Sequence, residues 1–154
     1  MDRAVTYNSY LKVDELLTLQ RPLSDGPEHD ELLFIVIHQV YELWFKQLLH
    51  EAGYLGAALE QDDLPRVYTT LKRFLTILKV QVAQIDILET MSPVSFLSFR
   101  ARLDTASGFQ SPQFRELEFV LGRRSARMIA HHAGTPAADR LAAMQRDHSR
   151  RESR

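Results

Sequence analysis

The chain has 154 residues, of which 45% are hydrophobic and 25% charged, and its formal net charge is −1. This length and composition fit one globular unit with a sizeable core and exclude a disordered chain. The absence of cysteine excludes disulfides, thiolate metal sites and cysteine nucleophiles. The sequence shows no signal peptide and no apolar run that we expect to span a bilayer, so we expect a cytoplasmic protein that does not contact a membrane.

Charge is distributed unevenly along the chain. Residues 123–154 contain eight arginines and three acidic residues, a net +5, which leaves −6 in residues 1–122. An arginine-rich segment can bind nucleic acid, but this one has no aromatic residue to stack on a base. We therefore predict one helical domain over 1–122, followed by a solvated helical extension and a divergent tail over 123–154, with no nucleic-acid partner.

Helical periodicity dominates the predicted elements. Residues 7–19 have apolar positions at helical spacing, and a loop rich in proline and glycine follows. Asp30 is the predicted N-cap of a long helix over 31–61, whose apolar run we expect to be fully buried. A capping residue and an early proline at Asp63–Pro65 begin a second long helix, which runs to Leu88.

Shorter helices complete the predicted fold. Ser92–Pro93 opens a helix over 92–103, and Ser111–Pro112 opens another that Gly122 closes. One or two helices are predicted over 124–147. Because no hairpin signal or repeat is present, we predict an all-α helical bundle of four to six helices, with the two long helices packed antiparallel.

A single histidine, His38, interrupts the apolar run that begins at Phe34. At 100° per residue it shares one side of the helix with Phe34, Tyr41 and Phe45. One interpretation is a core histidine paired with a backbone carbonyl or with Glu42, since most buried polar groups are simply hydrogen-bonded. The other is an imidazole that hydrogen-bonds or deprotonates a ligand in an apolar cavity.

The spacing of the histidines does not favour a metal site made of protein side chains. His38 and Glu42 lie one turn apart, but the Glu-x-x-His pairs of di-iron bundles are absent from the sequence. His50 lies about 120° around the helix from His38. The adjacent His131 and His132 point in different directions on a helix, so we predict no such metal site.

Other features suggest a ligand pocket. Arg100 follows Phe96 by one turn and could hold a carboxylate, although a surface arginine lying over apolar neighbours is the simpler interpretation. The turn SGFQS could offer amides and hydroxyls to an anion. Tyr7 and Tyr10 are residue types that more often pack than bind. Together with His38, these features predict an aromatic wall, an imidazole acceptor and a guanidinium donor, which suit a ligand such as tryptophan.

Four segments of the sequence carry a longer pattern. They are TYNSYLKVDELLTLQ, HDELLFIVIHQVYELWFKQLLHE, SPVSFLSFR and ASGFQSPQFRELEFVLG. In order, spacing and residue identity, over roughly residues 7–122, they resemble the tryptophan 2,3-dioxygenase family. The resemblance implies an all-α, homotetrameric enzyme that uses haem b to insert dioxygen across the indole 2,3 bond of L-tryptophan, giving N-formylkynurenine.

The resemblance also implies roles for residues of the substrate pocket. His38 would be the catalytic histidine that hydrogen-bonds the indole N–H. Phe34 would pack against substrate and haem, and Phe96 would form an aromatic wall. Arg100 would hold the substrate carboxylate.

Further residues receive roles on the same ground. Ser107 and Gly108 would form the turn near the haem and dioxygen. Tyr7, Tyr10 and Leu11 would reach into the pocket of a neighbouring subunit, so the resemblance implies a homo-oligomer.

Two parts of the family pattern are missing from the sequence. These are the downstream histidine that binds the iron on its proximal side and the Gly-Thr-Gly-Gly-type loop that binds the substrate ammonium. We expect His131 and His132 to be surface or capping residues, and we interpret the ending RDHSRRESR as a truncation. Two alternatives follow: a non-catalytic relative that acts as a helical binding module, and a haem enzyme for another aromatic amino acid.

Overall fold

The computed structural model describes residues 4–26, 28–103, 110–123 and 139–143. These ranges contain helices and turns but no strand, which confirms the all-α fold class. Residues 139–143 are helical; most of the predicted extension over 123–154 lies outside the described residues. The other helices are α1 (Tyr7–Leu11), α2 (Val13–Leu16), α3 (Asp30–Glu60), α4 (Leu64–Leu88), α5 (Pro93–Arg100), a 3-10 helix (Ala101–Leu103) and α6 (Pro112–Val120).

Helices α3 and α4 form the long antiparallel pair predicted from the sequence. The three residues between them include Asp62, which has a left-handed φ of 53°. The Asp63 amide donates to the Ala58 carbonyl oxygen at 3.0 Å. The Asp63 side chain caps α4 by accepting from the Arg66 amide at 3.1 Å. A connection of this length is typical of an αα-hairpin, in which the second helix packs antiparallel to the first.

The core lies between α3, α4 and α6. Its buried cluster consists of Leu48, Phe74, Ile77 and Leu117, and Trp44, Phe45 and Leu49 pack around it. Full burial of one such side chain contributes about 1.5–3 kcal/mol. Helix α3 is not buried on all sides as its apolar run predicts, because its described neighbours cover only part of its surface. Large apolar side chains remain exposed at Leu32, Leu43, Tyr54 and Leu59.

The prediction of one continuous helix over 7–19 is wrong, because the chain forms two short helices there. Lys12 has a left-handed φ of 55° and separates α1 from α2. The Asn8 side chain donates to Asp14 across this bend at 2.6 Å. A left-handed lysine has no signature in the apolar periodicity, so the break was not predictable from that pattern.

The ends of α3 and α5 also differ from the prediction. Asp30 is the first helical residue, and His29 holds the N-cap position without a side-chain cap. Helix α5 ends at Arg100, and the chain continues as 3-10 helix to Leu103.

The predicted caps of α5 and α6 are confirmed. Ser92 accepts from the Ser95 amide at 3.0 Å, and Ser111 accepts from the Phe114 amide at 3.1 Å. Gly122 follows α6 with a φ of 98°, a conformation that favours glycine. These short-range signals fix where both helices begin.

Helix α3 corrects the expectation that no segment could span a bilayer. Among the described helices it alone is long and apolar enough to cross a membrane, with a mean hydropathy of 1.2 over an 18-residue window. Core helices of soluble proteins have the same length and composition, and α3 packs against α4, α5 and α6. We therefore regard this feature as weak evidence for a membrane span.

Candidate functional site

Four rings meet where the start of α3 faces α5. The Phe34 ring centroid lies 4.1 Å from that of His38, 5.9 Å from Phe96 and 5.6 Å from Phe99. The Phe96 and Phe99 rings meet edge to face, a favourable geometry for aromatic pairs. Phe99 is fully buried, whereas the other three residues are half-buried. The structure therefore brings Phe34, His38 and Phe96 together and leaves part of each ring accessible.

The hydrogen bonding of His38 indicates which ring nitrogen carries the proton. Nδ1 lies 2.7 Å from the carbonyl oxygen of Phe34, one turn earlier. A carbonyl oxygen only accepts, so Nδ1 carries a hydrogen, and in the neutral form of the ring this makes Nε2 the acceptor. Within the part of the chain that the structure describes, Nε2 has no hydrogen-bond partner.

Of the two partners predicted for a core histidine, the backbone carbonyl is the one observed. Glu42, the other, accepts instead from the Gln113 side chain at 2.7 Å. Gln113 also donates to the Glu42 carbonyl oxygen at 3.0 Å. These bonds fix the start of α6 on α3, one turn after His38.

Arg100 is the last residue of α5 and is half-buried. It lies on the same helix as two of the four rings, one turn after Phe96 and directly after Phe99. A cation in the last turn is also favoured by the helix dipole. The site thus combines an imidazole acceptor, accessible aromatic faces and a guanidinium group.

A buried carboxylate fixes the start of α3. Glu31 is fully buried and accepts from the Leu23 amide at 2.6 Å, from the Ser24 amide at 3.1 Å and from the Ser24 hydroxyl. Burial raises the pKa of Glu31, but the hydrogen bonds from Ser24 and Leu23 outweigh it and hold the pKa below its ordinary value. The ionised carboxylate therefore binds the preceding loop to α3.

Arg102, in the 3-10 helix after α5, connects to the same loop. Its Nη1 lies 2.9 Å from Glu28 Oε1 and 3.1 Å from Ser24 Oγ. The hydrogen bond from Arg102 is the main cause that lowers the pKa of the Glu28 carboxyl. Sequence reasoning missed Glu28, Glu31 and Arg102, because they lie in a segment read only as a loop and at a helix end, and no local spacing connects them.

Other predicted site residues are not joined to the cluster. Tyr7 and Tyr10 are 78% and 76% exposed, and Leu11 is also exposed. Among the described residues, no hydrogen bond or ring contact links these three to Phe34 or His38. Ser107 and Gly108, together with His131 and His132, lie outside the described residues. No group of three or more His, Cys, Asp or Glu side chains in the described ranges could hold a metal ion.

Comparison with known proteins supplies the family. The family model described as tryptophan 2,3-dioxygenase matches residues 1–152. The chain belongs to the tryptophan 2,3-dioxygenase family. The match extends beyond the domain boundary predicted at residue 122, which itself stays a prediction.

Several members of the tryptophan 2,3-dioxygenase family are close in sequence. The tryptophan 2,3-dioxygenase of Herpetosiphon aurantiacus is 60% identical over 141 residues, covering 92% of this chain and 54% of that protein. That of Anaeromyxobacter sp. strain K is 58% identical over 141 residues, covering 91% and 52%. That of Caulobacter vibrioides is 47% identical over 138 residues, covering 90% and 52%. The chain therefore spans about half the length of the curated relatives it matches.

Proposed function

We propose that the chain forms the substrate side of a haem-dependent tryptophan 2,3-dioxygenase pocket. In the reaction, both atoms of dioxygen enter L-tryptophan, the indole C2–C3 bond breaks and N-formylkynurenine forms. The observation that carries the proposal is the geometry of His38, whose Nδ1 is bonded to Phe34 and whose Nε2 is an acceptor beside accessible rings. Relatives that are named tryptophan 2,3-dioxygenase and are up to 60% identical support the reaction type.

The described residues bind the substrate at two ends. His38 Nε2 accepts from the indole N–H and so sets the orientation of the ring, while Phe34 and Phe96 pack against its faces. Arg100 pairs with the carboxylate, and a guanidinium can make two parallel hydrogen bonds to it. The apolar rings strengthen this ion pair because they exclude water from it.

The family implies haem as the cofactor, and the described residues fit the substrate-facing side of this group. Phe34 and Phe96 offer ring surface to a flat apolar ligand, and the orientation of His38 Nδ1 towards its own helix leaves Nε2 for the substrate. When bound, haem supplies the binding of dioxygen and the electron chemistry. Ser107 and Gly108 remain the predicted residues near the dioxygen. No described residue is assigned as a ligand of the haem iron.

We also infer a homo-oligomer. The support is the N-terminal segment, in which neither α1 nor α2 buries a residue while Val5, Tyr7 and Tyr10 are more than three-quarters exposed. Clustered apolar side chains of this kind are typical of contact surfaces. In the proposal, this segment contacts the pocket of another copy.

Binding and turnover of L-tryptophan test the proposal. The protein is titrated with hemin, followed by its Soret absorbance, and L-tryptophan affinity and N-formylkynurenine formation are then measured. The Arg100→Met and His38→Ala variants should each weaken L-tryptophan binding about tenfold or more, since a charge-assisted or buried hydrogen bond is lost. His50→Ala, at an exposed position of the same helix, is the matched control and should bind as the unaltered chain does.

The outcomes separate the proposed function from its alternatives. Turnover of tryptophan that is lost in both site variants supports the dioxygenase. Binding without turnover favours a binding module, and turnover of another aromatic amino acid in preference to tryptophan favours the other haem enzyme. Failure of the unaltered chain to bind L-tryptophan, with or without hemin, would contradict the proposal.

A further inference from the structure

We propose that Arg102 is a positioning residue that holds Arg100 for the substrate carboxylate, an inference that rests on the proposed function. It acts through a network of four side chains, Ser24, Glu28, Glu31 and Arg102, which we call the loop latch. The loop latch joins the loop before α3, the start of α3 and the 3-10 helix that directly follows α5. Helices α3 and α5 carry the candidate pocket.

The hydrogen bonds of the loop latch form a continuous chain. Ser24 Oγ donates to the buried Glu31 carboxylate and accepts from Arg102 Nη1 at 3.1 Å. Arg102 Nη1 also lies 2.9 Å from Glu28 Oε1. A hydroxyl that both donates and accepts transmits orientation from one neighbour to the next. The position of Arg102 is therefore coupled to the start of α3, one turn before Phe34.

Arg100 lies between two fixed residues. On its N-terminal side, Phe99 is fully buried against Phe34 and Phe96. On its C-terminal side, Arg102 is held by the loop latch and lies in the 3-10 helix that begins at Ala101, which leaves little backbone freedom between the two arginines. A backbone held on both sides limits the positions that the Arg100 guanidinium can take, which lowers the conformational entropy lost when it pairs with a carboxylate. Release of Arg102 should therefore weaken carboxylate binding although Arg100 itself is unchanged.

The exposure of Arg102 separates a positioning role from a structural one. The side chains of Arg102 and Glu28 are 41% and 14% exposed, so solvent screens their ion pair in part and it contributes less to global stability than the pair of Arg73 with the 4% exposed Glu51. Removal of Arg102 should thus leave the fold intact and change only how the end of α5 presents Arg100. A purely structural residue would alter the binding of every ligand of the pocket to the same extent.

The experiment compares two ligands that differ in the carboxylate. L-tryptophan and tryptamine are titrated by calorimetry into the full chain with hemin present. The Kd of tryptamine divided by the Kd of L-tryptophan reports the contribution of the carboxylate. Arg102→Met keeps an unbranched apolar side chain and removes the charge and the donors. Its ratio should fall roughly threefold to tenfold, entirely through weaker L-tryptophan binding, as expected for residues within one hydrogen-bond network.

Three further variants complete the test. Arg102→Lys keeps the charge and one contact with Glu28, so it should restore part of the ratio. Glu28→Gln, which keeps the shape of Glu28, should lower the ratio less than Arg102→Met does, and it carries the test if Arg102→Met does not fold. Arg123→Met removes an exposed arginine that pairs with Glu118 at 2.8 Å after α6, and it should leave the ratio unchanged.

The results distinguish the positioning role of Arg102 from the proposed function of the pocket. An unchanged ratio in both Arg102→Met and Glu28→Gln, with L-tryptophan still bound, would overturn the positioning role and leave the proposed function intact. Equal loss of both ligands would also overturn it, because that pattern indicates a structural residue. If the unaltered chain showed no preference for L-tryptophan over tryptamine, the carboxylate-binding role of Arg100 would itself fail, and the inference with it.

Discussion

Helix α3 buries two glutamates, Glu31 in its first turn and Glu51 in its second half, and the two carboxylates are held by different partners. Glu51 accepts from Arg73 of α4, with Nη1 at 3.1 Å from both carboxylate oxygens, and from Gln47 at 2.6 Å. Glu31 accepts from backbone amides and a hydroxyl of the preceding loop. The same residue type on the same helix thus binds a second helix at one position and a loop at the other.

This difference indicates that the two carboxylates have different structural roles. A carboxylate paired with an arginine across two long helices stabilises the helix pair itself. A carboxylate held by neutral donors of a loop fixes the segment that meets Arg102 beside the candidate pocket. Changes at Glu51 should therefore appear in global stability, whereas changes at Glu31 should appear in local order and in ligand binding.

The largest expected effect is at the helix pair. Arg73→Leu leaves the Glu51 carboxylate, 4% exposed, without its cation. Breaking a fully buried pair costs about 3–5 kcal/mol, and since the Arg73 side chain is 55% exposed we expect about 2 kcal/mol in the free energy of unfolding. Urea unfolding followed by circular dichroism measures it. Arg123→Leu is the control. An equal urea midpoint for the two variants would contradict the claim that the Arg73–Glu51 pair stabilises the helix pair.

A smaller, local loss of stability is expected at the start of α3, around Glu31, when the pH falls. The folded-state pKa of Glu31 is lowered, so its contribution to stability is present above the ordinary carboxyl pKa of about 4.3 and is lost as the pH falls through the lowered value. The amides of Leu23 and Ser24, which donate to Glu31, should then lose protection from hydrogen exchange before α3 and α4 do. Glu31→Gln should remove this pH dependence. Protection of both amides that persists in acid until the whole chain unfolds would contradict it.

The smallest effect on stability is expected in the N-terminal segment, which belongs to neither end of α3. Because α1 buries no residue, the double variant Tyr7→Ser/Tyr10→Ser should change the free energy of unfolding by no more than about 0.5 kcal/mol. It should nevertheless weaken self-association, measured by light scattering over a range of concentrations. The unaltered chain should be oligomeric, and a monomer at all concentrations would contradict the proposed homo-oligomer.

Sequence reasoning predicted the parts of this structure that depend on neighbouring residues. Asp63, Ser92 and Ser111 cap their helices as predicted, since each cap needs only an amide two or three residues away. The loop latch could not be predicted in this way. Arg102 and Glu28 are distant in the chain, and only the fold brings them together.

The candidate site was predictable only in part for the same reason. The helical spacing places His38 on the side of Phe34, which the 4.1 Å ring separation reproduces. The contact of Phe34 with Phe96 depends on how α5 packs against α3, and that pairing entered through the family resemblance. The choice of the Phe34 carbonyl over Glu42 as the partner of His38 depends on Gln113 of α6, which occupies the Glu42 carboxylate.

The central claim is that His38 Nε2 is an open acceptor for the indole N–H, and nitrogen NMR of the histidine side chains tests it most directly. In the free chain, His38 should show the tautomer with hydrogen on Nδ1. L-tryptophan should then shift the Nε2 resonance, whereas 1-methyl-L-tryptophan, which has no indole N–H, should not. A His38 that carries its hydrogen on Nε2, or an Nε2 resonance that responds equally to both ligands, would contradict the account.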